Sequence, residues 1–370
     1  MQLSSFNKTD GKLLLSRDSN FAFAYNFLVE LSKYEDIVLL VPSKEVLAED
    51  DIEILDELGK FVSTVEYDYI LNPFLQRFFV SKEILKIAKD VSPDFIFCND
   101  PTHVLNWKVA SSTAKIAVYN HWISLPNHNV FGDNYYLLRQ VEGLQFADYV
   151  FTNTLVSKAM LLEQYRIARG ASSPDLYDKI HILPPPILEK FLASKPKSGD
   201  KVRTFLYNNR LSSFEEYQQC LNFFIDMANK LYEEDVIFKT IFTNPSGYSL
   251  AFDKLKQLHA FRKMNYEEYM QMMKKETLIG GAFFDKERIW SIALMDLAAN
   301  ANAVIAPMHS CFIEMFATDV LYRNPERAKF LLKELLTDGE AYARASKLCL
   351  EDARKFTSDK IVEKFLEVVK

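Results

Sequence analysis

Short, uninterrupted apolar runs recur along this chain, each followed by a stretch with helical periodicity. That alternation restricts the fold more than any other feature. DFIFC at 94–98, KIAVYN at 115–120 and ADYVF at 147–151 are continuous rather than alternating. A strand with one solvated face alternates apolar and polar residues; a strand buried on both faces does not. The segments 21–33, 44–58, 81–90 and 155–166 instead carry apolar residues at three- and four-residue spacing, as amphipathic helices do. Continuous strands separated by helices imply parallel sheets covered on both faces, a doubly wound α/β fold.

The series runs twice. The first spans strand candidates at 12–16, 36–41, 60–67, 94–100, 115–121 and 147–153 and closes with KIHIL at 179–183. Three prolines, Pro184, Pro185 and Pro186, then stiffen the chain, and a basic spacer ending in Ser-Gly-Asp follows. We expect one domain over 1–187, an exposed linker at 188–201 and a second domain over 202–354. In the second series, strands are expected at 202–209, 236–242, 277–284 and 301–307, with helices at 213–231, 266–275 and 289–300. The run 259–265 leads into the second of these helices. The end is helical at 325–336, 340–356 and 358–369, and a terminal helix over 355–370 is expected to cross back to the first domain. A chain of 370 residues suits two domains. Ligands of such folds bind at the carboxyl ends of the strands, so the functional cleft is expected between the two domains.

Composition removes several function classes. The net charge is −6 and the pI about 5.7, which gives no global charge for nucleic-acid binding. The four cysteines, Cys98, Cys220, Cys311 and Cys349, are far apart and fit neither a CxxC metal site nor a disulfide framework. No run approaches the roughly 18 apolar residues of a membrane span, and MQLSSFNKTDGK lacks the build of a signal peptide. A cytoplasmic location is expected. No D-x-D pair stands near a strand end and the histidines lack ligand spacing, so no metal ligands are assigned; dependence on a divalent metal stays open.

The window 281–307, GAFFDKERIWSIALMDLAANANAVIAP, holds a strand, a charged loop, a helix and a further strand. An Arg beside a helix start favours a diphosphate, because free N–H groups and a guanidinium both bind anions. If both lie on the helix, Arg288 and Asp296 are about 12 Å apart along its axis. Asp296 is placed to accept hydrogen bonds from sugar hydroxyls, with a plain surface carboxylate as the alternative. In the first series, His121 ends an apolar strand in KIAVYNHWISLPNH (115–128), where an imidazole can exchange a proton near neutrality. A hydrogen-bonded structural histidine is the alternative there, and the more so for His103 and His128. Arg17 and Asp18 follow the first strand and Asp100 follows DFIFCN; helix capping competes with an acceptor-side role for Asp18.

These motifs resemble GT-B glycosyltransferases. The window 288–306 is similar to the E-G-F-G-x-x-x-x-E core and the A-M-A-x-G-x-P-V-I-A stretch of the large retaining family. Arg288, Ile289, Trp290 and Ser291 fall on E-G-F-G, and Asp296 falls on the second Glu. The aromatic and the second acid are kept in type, while the first Glu is Arg and both glycines are replaced. LPPPI at 183–187 resembles the element that closes the first domain of these enzymes. FLYNNRLSS at 205–213 resembles the F-L-x-V-G-R-L strand that opens the second, with Arg210 on its diphosphate-binding Arg. FKTIFTNP at 238–245 fits the next strand. Asn120 to Pro126 also resemble strand ends of phage DNA glucosyltransferases, which act on hydroxymethylated pyrimidines.

The resemblance implies two Rossmann-like domains facing a cleft, with a helical tail. It implies a sugar transferred from a nucleotide diphosphate, UDP-linked, to a hydroxyl acceptor. The donor residues would be Arg210, Lys239, Thr243, Asn244, Arg288, Ile289, Trp290, Ser291 and Asp296. His121 or Asp18 would serve catalysis, and Arg17, Asp100 and Trp122 the acceptor side. The nucleotide sugar is a substrate, and no further cofactor is implied. The acceptor is DNA, or a glycan or small metabolite. A non-catalytic nucleotide-sugar-binding protein is the rival.

Overall fold

The computed structural model describes residues 7–9, 12–14, 19–67, 82–120, 131–170, 174–199, 203–209, 215–243, 253–262, 264, 266–283 and 289–370. The chain divides into two compact units, Met1–Pro186 with Ser358–Lys370, and Ile187–Thr357.

In the first unit, β1 (Asn7–Thr9) and β2 (Lys12–Leu14) form an antiparallel pair, followed by α1 (Ser19–Leu31). Then come β3 (Val38–Pro42), α2 (Glu49–Leu58), β4 (Ser63–Tyr67), α3 (Lys82–Val91), β5 (Phe95–Cys98) and α4 (Val104–Ala110). The series continues with β6 (Lys115–Asn120), α5 (Phe131–Phe146), β7 (Tyr149–Thr152), α6 (Leu155–Arg169), α7 (Pro174–Lys179) and β8 (Ile180–Ile182). Strands β5 to β8 lie side by side in chain order, all parallel, and β3 pairs in parallel with β4. From its second residue to its last, β6 is buried on both faces, which is why its sequence does not alternate. The helix α6 begins on a capping box, in which Thr154 and Ser157 bond each other's backbone N–H. It stops at Gly170 in the left-handed region, φ +70°.

The second unit contains β9 (Thr204–Tyr207), α8 (Glu215–Glu233), β10 (Lys239–Phe242), β11 (Leu258–Phe261), α9 (Tyr266–Lys275), β12 (Ile279–Gly281) and α10 (Ile292–Ala299). It continues through β13 (Ala303–Pro307), α11 (Phe312–Met315), β14 (Leu321–Tyr322), α12 (Pro325–Thr337) and α13 (Gly339–Ala353). The strand order is β11-β10-β9-β12-β13-β14, every pair parallel. Counted within the unit this is 3-2-1-4-5-6, the doubly wound order whose direction reverses between β9 and β12. Gly280 in β12 lets α10 approach closely: a Cβ there would collide with the Leu297 side chain.

The last helix, α14 (Ser358–Val369), belongs to the first unit. Its Phe365 ring meets Phe27 edge-on at 5.1 Å and Phe97 at 5.7 Å, and lies 5.2 Å from Phe151. The many phenylalanines are thus explained in part by a ring cluster that fastens the tail.

The described part of the expected linker, 188–199, is bonded into the second unit, although half of its residues are exposed. Ala193 N donates to Ala299 O at 2.7 Å and Lys197 N to Ser346 Oγ at 2.9 Å. The Lys197 ammonium donates to Met273 O, Glu276 O and Asn302 Oδ1, at 2.5, 2.7 and 2.8 Å. Gly199 lies so close to Gly339 that neither a Cβ nor a larger residue would fit between them. With Ile187 N bonded to Phe356 O at 2.8 Å, the stretch from Ile187 is packed into the second unit, because backbone donors and one buried lysine find acceptors there.

Three further elements differ from expectation. The run 259–265 begins with a strand residue rather than a lead-in, since Leu258–Phe261 forms the edge strand β11. A short strand, β14, was not anticipated. The helix α10 starts at Ile292 and not at 289, with Ser291 as its N-cap residue. The helix thus does not reach back to 289, and the separation along its axis that was expected for Arg288 and Asp296 has no basis in it.

Candidate functional site

The carboxyl edge of the second unit's sheet is where its topology makes a crevice. Asn208 and Asn209 leave β9, Thr243 leaves β10, Arg262 leaves β11, and Ala282 and Phe283 leave β12. Asn209 is buried, and its Nδ2 donates to Gly281 O at 2.6 Å. That bond spans the point where the strand order reverses. Asn208 Nδ2 donates to Tyr269 Oη and to Ala293 O, both at 2.8 Å. On the far side, Tyr322 Oη donates to Ala282 O at 2.9 Å. Side chains thus satisfy the Gly281 and Ala282 carbonyls at the mouth of the crevice, while backbone N–H groups satisfy those of Tyr207 and Phe242.

The helix α10 starts at this edge. Its N-cap, Ser291, has extended backbone and makes no capping bond with its side chain, so the first-turn N–H groups point outward without a hydroxyl across them. Trp290, half-buried, stands edge-on to Phe356 with ring centroids 5.1 Å apart; Ile289 precedes it and is likewise half-buried. Asp296 lies one turn further along α10. Burial raises its carboxyl from the ordinary 3.8 to about 7. Part of the residue still reaches solvent, so the cost of ionising it is smaller than full enclosure would impose. Beside the carboxyl end of β11 is a shallow hollow of about 600 Å³ lined by Phe261, Arg262, Met264, Glu268, Met272 and neighbours.

Several expected site residues sit elsewhere. Lys239 opens β10 while Thr243 follows its last residue, so the two stand about 13 Å apart at opposite edges of the sheet. The fold places Lys239 away from the ligand edge, and its donor role is withdrawn. Asp100 is buried, and its Oδ1 accepts from Thr102 N at 2.9 Å and Thr102 Oγ1 at 2.7 Å. It caps the turn Pro101–His103, which accounts for its carboxylate without an acceptor. His103 is buried in the same turn. The residues His121, Asp18, Arg17, Trp122, Arg210, Asn244 and Arg288, with His128, lie outside the described residues.

Asn208, Asn209 and Tyr269 were not singled out from the sequence. The one available signal was the polar pair that ends the apolar run TFLY, where a buried strand exits toward a site. A second hollow, a groove of about 630 Å³ in the first unit, is lined by Phe27, Leu31, Val38, Phe95, Phe365 and others. It opens at the amino ends of β3 and β5, the wrong edge for a doubly wound active site. Among the described residues, no group of three His, Cys, Asp or Glu could hold a metal ion, and no helix is long and apolar enough to cross a membrane. All four cysteines are buried and unbridged, and burial pushes the Cys98 and Cys349 thiols up to about 12.

Comparison by sequence finds no matching protein family and no matching curated protein. Comparison by structure finds solved proteins that superpose along nearly the whole chain. Anabaena HepE, solved with UDP-glucose, has a TM-score of 0.67 at 11% identity, over 100% of this chain and 98% of its own. Sucrose-phosphate synthase from Thermosynechococcus elongatus has a TM-score of 0.68 at 11% identity, over 95% and 92%. A glycosyltransferase from Rickettsia africae has a TM-score of 0.65 at 12% identity, over 96% and 95%. The fold is GT-B. At such identities the likeness extends to the fold and no further.

Proposed function

We propose that this chain is a glycosyltransferase that moves a sugar from a UDP-linked donor to a hydroxyl acceptor. The observation that carries this reading is the 3-2-1-4-5-6 sheet of the second unit, with α10 starting at its carboxyl edge beside Asn208 and Asn209. The GT-B likeness supports it, since one of the similar proteins was solved with UDP-glucose. The first-turn N–H groups of α10 and the Ser291 hydroxyl receive the diphosphate. Asp296 accepts a sugar hydroxyl, Thr243, Ile289 and Trp290 wall the donor, and the hollow at Phe261, Met264 and Met272 takes the base.

In the reaction the bond between the anomeric carbon and the diphosphate oxygen breaks, and a bond to the acceptor oxygen forms. Charge on the departing diphosphate is the main thing to stabilise. Arg210, Arg288 and Asn244 fill that role by resemblance. The acceptor proton passes to His121 or Asp18 if the configuration inverts, or to the leaving phosphate oxygen if it is retained. Arg17 and Trp122 are proposed on the acceptor side.

The acceptor we favour is a glycan or small-metabolite hydroxyl. A net charge of −6 argues against a DNA acceptor, whose phosphates require a basic surface. The test offers UDP-sugars with small hydroxyl acceptors and with hydroxymethylated DNA at several salt concentrations. Transfer to small acceptors is expected. Salt-sensitive transfer to DNA would reverse the acceptor assignment, and binding without turnover on any acceptor would favour a nucleotide-sugar-binding protein.

A further inference from the structure

We propose that Asn208 is a positioning residue that couples the two ends of the donor site, an inference that rests on the donor reading above. Its Nδ2 donates to both Tyr269 Oη and Ala293 O. A peptide carbonyl can only accept, so the contact to Ala293 fixes which way the amide faces. The two acceptors stand on different elements. Tyr269 lies on α9, the helix that lines the hollow through Glu268, Gln271 and Met272. Ala293 is in the first turn of α10, where the diphosphate is proposed to sit. Asn208 itself ends the exit from β9, so one planar group ties the strand to both helices.

The other face of the amide is left incomplete. Asn208 Oδ1 is shut away from water and has no hydrogen-bond partner among the described residues. An apolar side chain of similar size would avoid that unpaired acceptor, so stability alone does not account for an amide here. What the amide supplies is a fixed spacing between α9 and α10. A ligand that reaches from the hollow to the α10 terminus gains from having both half-sites preset, because its second half then binds as an intramolecular event. Losing the spacing should weaken the joined ligand while each half alone binds as before.

The experiment titrates uridine, inorganic diphosphate and UDP separately into the full-length protein and into folded Asn208→Ala and Tyr269→Phe variants. Tyr269→Phe keeps the ring and removes one of the two acceptors, so it remains informative if Asn208→Ala does not fold. In the wild type UDP should bind far more tightly than either fragment. In Asn208→Ala the affinity for UDP should fall about tenfold or more, with uridine and diphosphate each changed less than about twofold. Tyr269→Phe should show the same pattern to a smaller extent. Unchanged UDP affinity in the folded variants would overturn the coupling. So would an equal loss for all three ligands, which is what a merely structural role predicts. Failure of the wild type to bind UDP at all would instead bring down the donor reading, and the coupling with it.

Discussion

Asn209 Nδ2 donates to Gly281 O across 2.6 Å, joining the ends of the two strands between which the second unit's sheet reverses direction. In phosphate-binding βα turns a glycine in this region lets backbone approach the ligand. Here a buried amide occupies the place and holds the two strand ends together.

Asn209→Ala removes that donor and leaves a buried carbonyl unpaired, which costs about 1–3 kcal/mol. Chemical denaturation followed by tryptophan fluorescence and circular dichroism should show the loss. An unchanged midpoint would mean that the Gly281 carbonyl finds another donor.

Phe365→Ala should destabilise the first unit by about 3–5 kcal/mol, the usual cost of emptying a buried ring site. Its ring touches Phe27, Phe97 and Phe151, so the cavity opens in the centre of an aromatic cluster. Amide exchange should accelerate in β5, β7 and α14. Exchange confined to α14 would mean that the tail is only loosely attached.

Trypsin should leave Lys197 uncut in the native protein; the Lys195–Pro196 bond resists it in any state. The Lys197 ammonium is held by three acceptors and its backbone N–H by Ser346 Oγ, while Ala193 N donates to Ala299 O. Ser346→Ala removes the acceptor of the Lys197 backbone N–H and should speed cleavage after Lys197. Rapid cleavage of the unaltered protein after Lys197 would restore the picture of an open linker.

The lysines of 188–199 and the prolines before them mislead because composition reports a segment's average polarity, while packing depends on which carbonyls face it. The interior strands were legible for the opposite reason: burial on both faces leaves β5, β6, β7 and β9 no room to alternate. The edge strand β11, LHAF, has three exposed residues among its four and gives no such pattern. The helix that follows Ser291 and carries Asp296 was legible from its apolar residues, though it starts at Ile292 rather than at 289. Tyr269 was not, because its role depends on a partner 61 residues away. Lys239 was expected among the donor residues by resemblance, and only the direction of β10 shows that it is at the opposite edge.

Asp296 makes the stability of the protein depend on pH. Its folded carboxyl titrates near 7 against 3.8 for the free group. Between these values the folded state holds the proton more tightly than the unfolded chain does, so stability falls as pH rises through that window. Asp296→Asn abolishes this contribution. The variant's gain in unfolding free energy should be larger at pH 8 than at pH 5, by about 1–2 kcal/mol after allowance for its partial exposure. A gain independent of pH would mean that the carboxyl titrates normally.

Incubation of the purified full-length protein with UDP-glucose and other UDP-sugars, followed by chromatographic detection of released UDP, tests the central claim most directly. The account predicts slow UDP release with water as acceptor, faster release with a hydroxyl acceptor, and loss of both in Ser291→Pro, which blocks the outward face of α10. Release of no UDP from any UDP-sugar, with no binding of UDP by titration, would contradict it.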